Sequence, residues 1–332
     1  MKKIAIIGGG SWGTALALVL AQKSHQVRLW VFEAELVDLI NRDHRNLLYM
    51  PEFELPSSIR ATHSVAESLA DADIAVLVVP SRHFRRICEE MRTHLRSDTI
   101  VVSATKGIEI QTLCRMSQII EEVLPPHNAI NVAAISGPSF AKEVARGNPT
   151  AIVVCSQDRK LAEHIQCEFS SPSLRLYTSN DMVGVELGGA VKNVIAIAAG
   201  VCAGLGYGSN SLAALITRGL AEMTRLAVAC GGKPFTLAGL AGMGDLVLTC
   251  TGELSRNRSV GMQLGQGKNL LEITSGMRMV AEGVPTTQAT LALARKYHVE
   301  MPITDQMDAV LNRGKDPRQA IRELMERPLK EE

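Results

Sequence analysis

The sequence predicts an α/β fold in which an N-terminal parallel-sheet domain with helices on both faces is followed by an all-α C-terminal domain. Three observations carry that expectation. Short β-branched runs alternate with helix-length amphipathic segments through the first half of the 332 residues. Those runs are continuously apolar, as strands buried on both faces are. Beyond about residue 180 the period-two signal disappears, and long stretches rich in Ala, Leu, Gly and Met take its place. The expected boundary divides the chain into 1–180 and 181–332, without a proline-rich linker or an internal repeat to mark it.

Taken in order, the strand candidates are KIAIIG, QVRLWV, DIAVLVVP, TIVVSATKG, INVAAISG and TAIVVCS. Residues 82–95 and 111–124 have the length and apolar spacing of covering helices. In the second half, 182–205 and 210–230 read as packed helices. The run VIAIAAGVCAGL (194–205) is the most apolar of the chain, but it is too short to span a bilayer and follows closely on Lys192. A buried helix is expected there. The opening MKKIAIIGGG has the two lysines of a signal peptide, yet glycines interrupt its apolar stretch at once.

Composition excludes several functions. With 46% hydrophobic residues the chain is globular, and a formal charge of +1 without a basic run argues against nucleic acid or an anionic membrane as partner. The seven cysteines form no CxxC pair and the eight histidines no metal-ligand spacing. Reduced thiols, no metal and a soluble cytoplasmic protein without stable membrane insertion are the expectation.

The first strand ends in GGGSWG, so Gly8, Gly10 and Gly13 match G-x-G-x-x-G between a strand and a helix. In that context the first glycine makes the turn and the second admits a pyrophosphate. The third lets helix and strand pack closely, while the helix N-terminus offers free N–H groups. The second strand ends LWVFE and places Glu33 twenty residues after Gly13, where a carboxylate accepts from ribose hydroxyls. The two features together point to a Rossmann-type dinucleotide site. No phosphate-transferring P-loop is present. Ligands of such sheets lie beyond the strand carboxyl ends, which directs attention to VVPS (78–81), SATKG (103–107) and ISGPSF (135–140).

Hydride transfer to a ketone leaves an alkoxide that needs a proton, and a lysine supplies it if burial or a neighbouring cation makes it acidic enough. Lys192, within GGAVKNVIAI, sits between apolar helical segments; the alternative is a side chain that snorkels to the surface. SRNR (255–258) sets a guanidinium, a hydroxyl and an amide together at Ser255, Arg256 and Asn257, donors that suit an anion. Loops of that composition are also common as solvated turns. Asp245, in AGMGDL, could orient a lysine, bind a substrate hydroxyl or cap a helix.

The blocks GGGSWGTALA, VVPS, TKGIE, SGPSFAKEV, ELGGAVKNVIAIAAG, GMGDLVLTCTGELSRNR and VAEGVPT occur in the order seen in NAD(P)-dependent glycerol-3-phosphate dehydrogenases, which the chain resembles from residue 4 to residue 305. The resemblance implies reversible reduction of dihydroxyacetone phosphate to sn-glycerol 3-phosphate for phospholipid synthesis, and a homodimer. It makes Lys192 the proton donor. Lys106, Gly137, Ser139, Lys192, Asp245, Ser255, Arg256 and Asn257 become substrate ligands, with the charge of Lys106 acting on Lys192. It assigns Ser11, Trp12, Lys106, Ala141, Arg256, Val280 and Glu282 to the cofactor, beside Gly8, Gly10, Gly13, Phe32 and Glu33. Phe32 is suited to stack on adenine, and Glu33 to repel a 2′-phosphate. NAD(H) is therefore expected to be favoured, with NADP(H) also used. Many bacterial relatives carry Arg or His after the second strand instead, and LWVFE is similar to the NAD-specific eukaryotic members. The rival reading is a related dehydrogenase of a 3-hydroxy acid or another small phosphorylated substrate; a non-catalytic dinucleotide sensor would not need the two lysines.

Overall fold

A computed structural model describes residues 1–129, 131–276, 281–329 and 331. The chain forms two compact units. The first comprises residues 1–106 and 114–185, the second residues 107–113 and 186–332.

The first unit is built on an eight-stranded sheet. Its strands are β1 (Lys3–Ile7), β2 (Gln26–Trp30), β5 (Ile59–Thr62), β6 (Ile74–Leu77), β7 (Ile100–Ser103), β8 (Val132–Ser136), β9 (Thr150–Cys155) and β10 (Leu174–Ser179). Their spatial order is β10-β9-β8-β7-β6-β1-β2-β5. Alternate residues of the same strands feed two apolar clusters. Ile4, Ile6, Val27, Leu29 and Val76 pack with Leu16 and Leu20 of the helix Ser11–Gln22. Ala5, Ile7, Ala75 and Leu77 pack with Phe84 and Ile87 of the helix Ser81–Met91 and with Ile119 and Ile120 of the helix Met116–Val123. Burial on both faces is why these strands read as unbroken apolar runs.

The structure departs from the sequence expectation in three places. The pair β8·β9 is antiparallel, whereas the other pairs of the sheet are parallel. Between β8 and β9 lies only the five-residue helix Ala141–Ala145. At about 1.5 Å per residue such a helix cannot carry the chain back along strands that advance about 3.3 Å per residue, so the return strand pairs antiparallel. The short strands β5 and β10 were not signalled by apolar runs, because β10 alternates buried and exposed residues at the sheet edge. Finally, a small antiparallel hairpin, β3 (Arg45–Asn46) and β4 (Met50–Glu54), follows the helix Glu35–Asp43.

The second unit is helical. The helix Met182–Gly204 begins at the end of the first unit and continues into the second. Its 23 residues make it long and apolar enough to cross a membrane by length and composition, but 89% of its most apolar window is buried within the protein. It is a core helix, longer than the 194–205 apolar run alone suggests. Against it runs the helix Arg256–Gly265. A Cβ on Gly200 would stand 2.0 Å from the Arg258 carbonyl oxygen, and one on Gly261 would stand 1.9 Å from that of Ile197. The two backbones therefore touch. The helices Ser209–Ala229, Gly283–Lys296 and Pro302–Asn312 complete the packing around them.

Candidate active site

The glycine turn closes β1 onto the helix Ser11–Gln22. Gly8 has φ +129°, a backbone conformation that favours glycine, and its Cβ would lie 2.5 Å from the Val78 carbonyl oxygen. A Cβ on Gly13 would stand 1.9 Å from the Gly8 carbonyl oxygen, so helix and turn meet backbone to backbone. Gly10 differs: nothing lies within 4 Å of its Cβ position. It is also the N-cap of a twelve-residue helix with no side-chain cap. An open position at an uncapped helix N-terminus fits the pyrophosphate of a dinucleotide. Ser11 and Trp12 form the first turn of that helix, both half-buried.

Beyond the end of β2, Phe32 is 62% exposed and its ring lies 6.4 Å from Trp30 and 6.5 Å from His63. Its outer face is left for a planar ligand. Glu33 is half-buried and accepts a 2.6 Å hydrogen bond from the Tyr49 hydroxyl. Arg28 is turned away to Asp71 and to the Glu67 carbonyl, so no guanidinium from β2 stands at the ribose end.

At the carboxyl ends of β7 and β8, one carbonyl gathers three of the residues singled out in the sequence. Lys106 Nζ donates to the Gly137 oxygen (3.2 Å), and so does Ser139 Oγ (3.0 Å). Gly137 itself has φ +146° and presses on the Ile152 backbone. Ala141 opens the helix Ala141–Ala145 just beyond.

In the second unit, Lys192 is 5% exposed and does not snorkel. Its Nζ donates to an Asp245 carboxylate oxygen and to Thr249 Oγ1 (2.8 Å). Asp245 is fully buried at the start of the helix Asp245–Thr251, directly after a π-helical turn, Leu240–Gly244. That turn approaches the Lys192 helix at Gly188, where a Cβ would stand 2.6 Å from the Ala241 oxygen. Thr249 lies one helical turn from Asp245 and donates to its carbonyl at 2.6 Å, so towards Lys192 its oxygen accepts. Burial forces the Cys250 thiol beside this cluster up to about 12, which leaves it unreactive at neutral pH.

The neighbouring residues are tied to one another. Asn257 Nδ2 donates to Asn193 Oδ1 (3.0 Å), and Asn257 Oδ1 accepts from the Gly283 amide (2.9 Å). The segment bearing Arg256 is thereby bonded to the residue after Lys192 and to the residue after Glu282. Ser255 caps the helix Arg256–Gly265 by accepting from the Arg258 amide (3.2 Å), and Arg256 at its first position is exposed. Glu282 is the half-buried N-cap of the helix Gly283–Lys296. Val280 lies outside the described residues.

Four participants were not signalled in advance: Thr249, Asn193, Tyr49 and Asn46, the last fully buried and donating to the Gly9 carbonyl of the glycine turn (2.8 Å). Thr249 was recoverable from its i+4 spacing to Asp245, and Asn193 as a second polar residue in an apolar helix. Nothing local marks Tyr49 or Asn46, whose roles come from tertiary contacts.

Comparison with known proteins agrees with this fold. Residues 3–162 match the model of the NAD-dependent glycerol-3-phosphate dehydrogenase N-terminus, and residues 181–322 that of the C-terminus. The chain is 57% identical over 330 residues to a glycerol-3-phosphate dehydrogenase [NAD(P)+] of Koribacter versatilis, covering 99% of this chain and 98% of that protein. It is 53% identical to one from Geobacter sp. strain M21, covering 100% and 99%. Among solved structures it resembles glycerol-3-phosphate dehydrogenase of Coxiella burnetii, with a TM-score of 0.93 at 41% identity, covering 98% and 99% of the two chains. The chain belongs to the NAD(P)-dependent glycerol-3-phosphate dehydrogenase family.

Proposed function

We infer that this chain catalyses the reversible NAD(P)H-dependent reduction of dihydroxyacetone phosphate to sn-glycerol 3-phosphate. The observation that carries the reading is Lys192, buried in an apolar helix and donating to Asp245 and Thr249, in a chain matched to this family almost end to end. A buried ammonium has a high desolvation cost, and two acceptors offset it. As proton donor to the alkoxide oxygen in reduction, and acceptor in oxidation, it gives that cost a use.

The first unit is suited to hold the dinucleotide. Gly8, Gly10, Ser11, Trp12 and Gly13 would take the pyrophosphate, with Phe32 against adenine and Glu33 on the ribose. Bound there, the reduced nicotinamide supplies the hydride. Lys106, Gly137 and Ser139 form one bonded group that suits a small polar substrate, while Ala141, Val280 and Glu282 are assigned to the cofactor by resemblance. In the second unit Arg256, at the start of a helix capped by Ser255, presents a guanidinium and a helix dipole to the phosphate. Asn257 holds that segment in place and adds a substrate contact by resemblance. The product is a phospholipid backbone precursor, and a cytoplasmic homodimer without membrane insertion accords with the family. Phe235 (91% exposed) and Leu271 (82%) on the second unit are apolar side chains that a partner copy could cover.

The test is NADH oxidation by the purified protein with dihydroxyacetone phosphate, compared with unphosphorylated dihydroxyacetone and with hydroxypyruvate. Turnover should depend on the phosphate; preference for hydroxypyruvate would transfer the protein to the hydroxy-acid dehydrogenases. Sedimentation of the same preparation reads the oligomer.

A further inference from the structure

The acidic residue at the end of β2 does not stand alone. Glu33 has three side-chain torsions and lies three residues beyond the end of β2, so left to itself it would sample solvent as well as the ribose site. The Tyr49 hydroxyl donates to its Oε1 at 2.6 Å. Tyr49 lies in the turn of the β3–β4 hairpin, and the hairpin is fastened to the glycine turn. Asn46, fully buried, donates from Nδ2 to the Gly9 carbonyl (2.8 Å) and to Thr14 Oγ1 (2.9 Å). Its Oδ1 accepts from the Tyr49 amide (3.3 Å), and the Tyr49 carbonyl accepts from Ser11 Oγ (3.2 Å). Pyrophosphate end and ribose end are thus joined through one hairpin.

We propose that Tyr49 is a positioning residue that sets dinucleotide preference by fixing the Glu33 carboxylate at the ribose end of the site. The proposal rests on the reading of Glu33 as the ribose acceptor and extends it. With Oε1 held by tyrosine, Oε2 makes no bond among the described residues and would accept from a ribose hydroxyl. A charge fixed in place also repels a 2′-phosphate more than one that can swing into water, where it is screened. Burial, and then the hydrogen bond and charge of Glu33, push the Tyr49 phenol well above its ordinary value. The hydroxyl therefore remains a donor to Glu33 over the working pH range.

The experiment measures kcat and KM for NADH and NADPH in the full-length protein and in Tyr49→Phe, Glu33→Gln and the double variant. Phenylalanine retains the ring, which packs against the apolar cluster of the first unit, and thermal melts confirm folding. Tyr49→Phe should lower the NADH:NADPH ratio of kcat/KM about five- to tenfold, the net value of one ordinary hydrogen bond, since water replaces part of the tyrosine's contact with the carboxylate. The change should appear in KM, with kcat for NADH unaltered. On the Glu33→Gln background the same substitution should leave the ratio within about twofold. If Glu33→Gln shifts the ratio and Tyr49→Phe does not, Glu33 keeps its ribose role and the positioning role is overturned. If neither shifts it, the reading of Glu33 falls and takes the proposal with it. Equal weakening of both cofactors by Tyr49→Phe assigns the tyrosine to structure alone and also overturns the proposal.

Discussion

A lysine in the middle of a 23-residue apolar helix gains nothing for the fold that a leucine would not supply better. Removing Lys192 is therefore informative about chemistry. Lys192→Met should lower kcat at least ~10²-fold, because general acid catalysis contributes about 10²–10⁴-fold. NADH binding, followed by its fluorescence, should survive, since Lys192 is not among the residues assigned to the dinucleotide. Near-native turnover in the folded variant would remove Lys192 from its role. Arg256 differs: its side chain reaches solvent, although its surroundings desolvate the guanidinium and lower its pKa against the pull of Glu282. Arg256→Lys keeps the charge and loses the planar fork, which should weaken phosphate binding by about 1.5–3 kcal/mol, read as a rise in KM for dihydroxyacetone phosphate. An unaltered KM would mean that the phosphate is held elsewhere. At this scale the sequence displays residues with local context, such as Lys192 in its apolar helix and the glycines after a strand. It hides Tyr49 and Asn46, whose importance comes only from what the fold places beside them.

Among the elements, the contact between Met182–Gly204 and Arg256–Gly265 positions the lysine helix and the arginine helix together. Glycine in a helix is unfavourable by about 0.5–1 kcal/mol relative to alanine, so glycines facing each other at a crossing indicate that close approach is needed. Gly261→Ala would put a methyl 1.9 Å from the Ile197 carbonyl oxygen, a backbone atom that cannot rotate away. The helices must separate, at a cost of about 1–3 kcal/mol. The expected result is a lower melting temperature together with a loss of kcat, since Lys192 and Arg256 move relative to each other. A variant as stable and active as the parent would show the crossing to be slack. Elements were legible where the pattern is local: six of the eight main strands have apolar runs. The antiparallel direction of β9 and the β3–β4 hairpin were not, because direction depends on the intervening connection and a two-residue strand has no period. The hairpin nonetheless carries Asn46 and Tyr49.

For the molecule as a whole, stability as a function of pH should bear the mark of one buried carboxylate. Glu222, on the helix Ser209–Ala229, is 1% exposed. It accepts from the amides of Ile303 (2.6 Å) and Thr304 (3.3 Å) and from Thr304 Oγ1 (3.2 Å). The helix Pro302–Asn312 has no side-chain cap of its own, so a residue 80 positions upstream supplies one. Burial pushes the Glu222 carboxyl up from 4.5 to about 7, against the pull of those three hydrogen bonds and of Arg225. A raised carboxyl pKa means that the fold prefers the protonated form. Its contribution is therefore fully present below about pH 4.5 and is lost as pH rises through 7. The difference corresponds to about 3 kcal/mol. Surface carboxylates held low by cations, such as Asp71 between Lys3 and Arg28, act in the opposite direction, so the total curve does not isolate the effect. Comparison with Glu222→Gln does, because glutamine keeps an acceptor and cannot titrate. Melting temperatures of the two proteins should converge or cross between pH 5 and pH 8, the parent losing its advantage as pH rises. Parallel curves over that range would show that Glu222 stays ionised throughout, and that its three donors outweigh its burial.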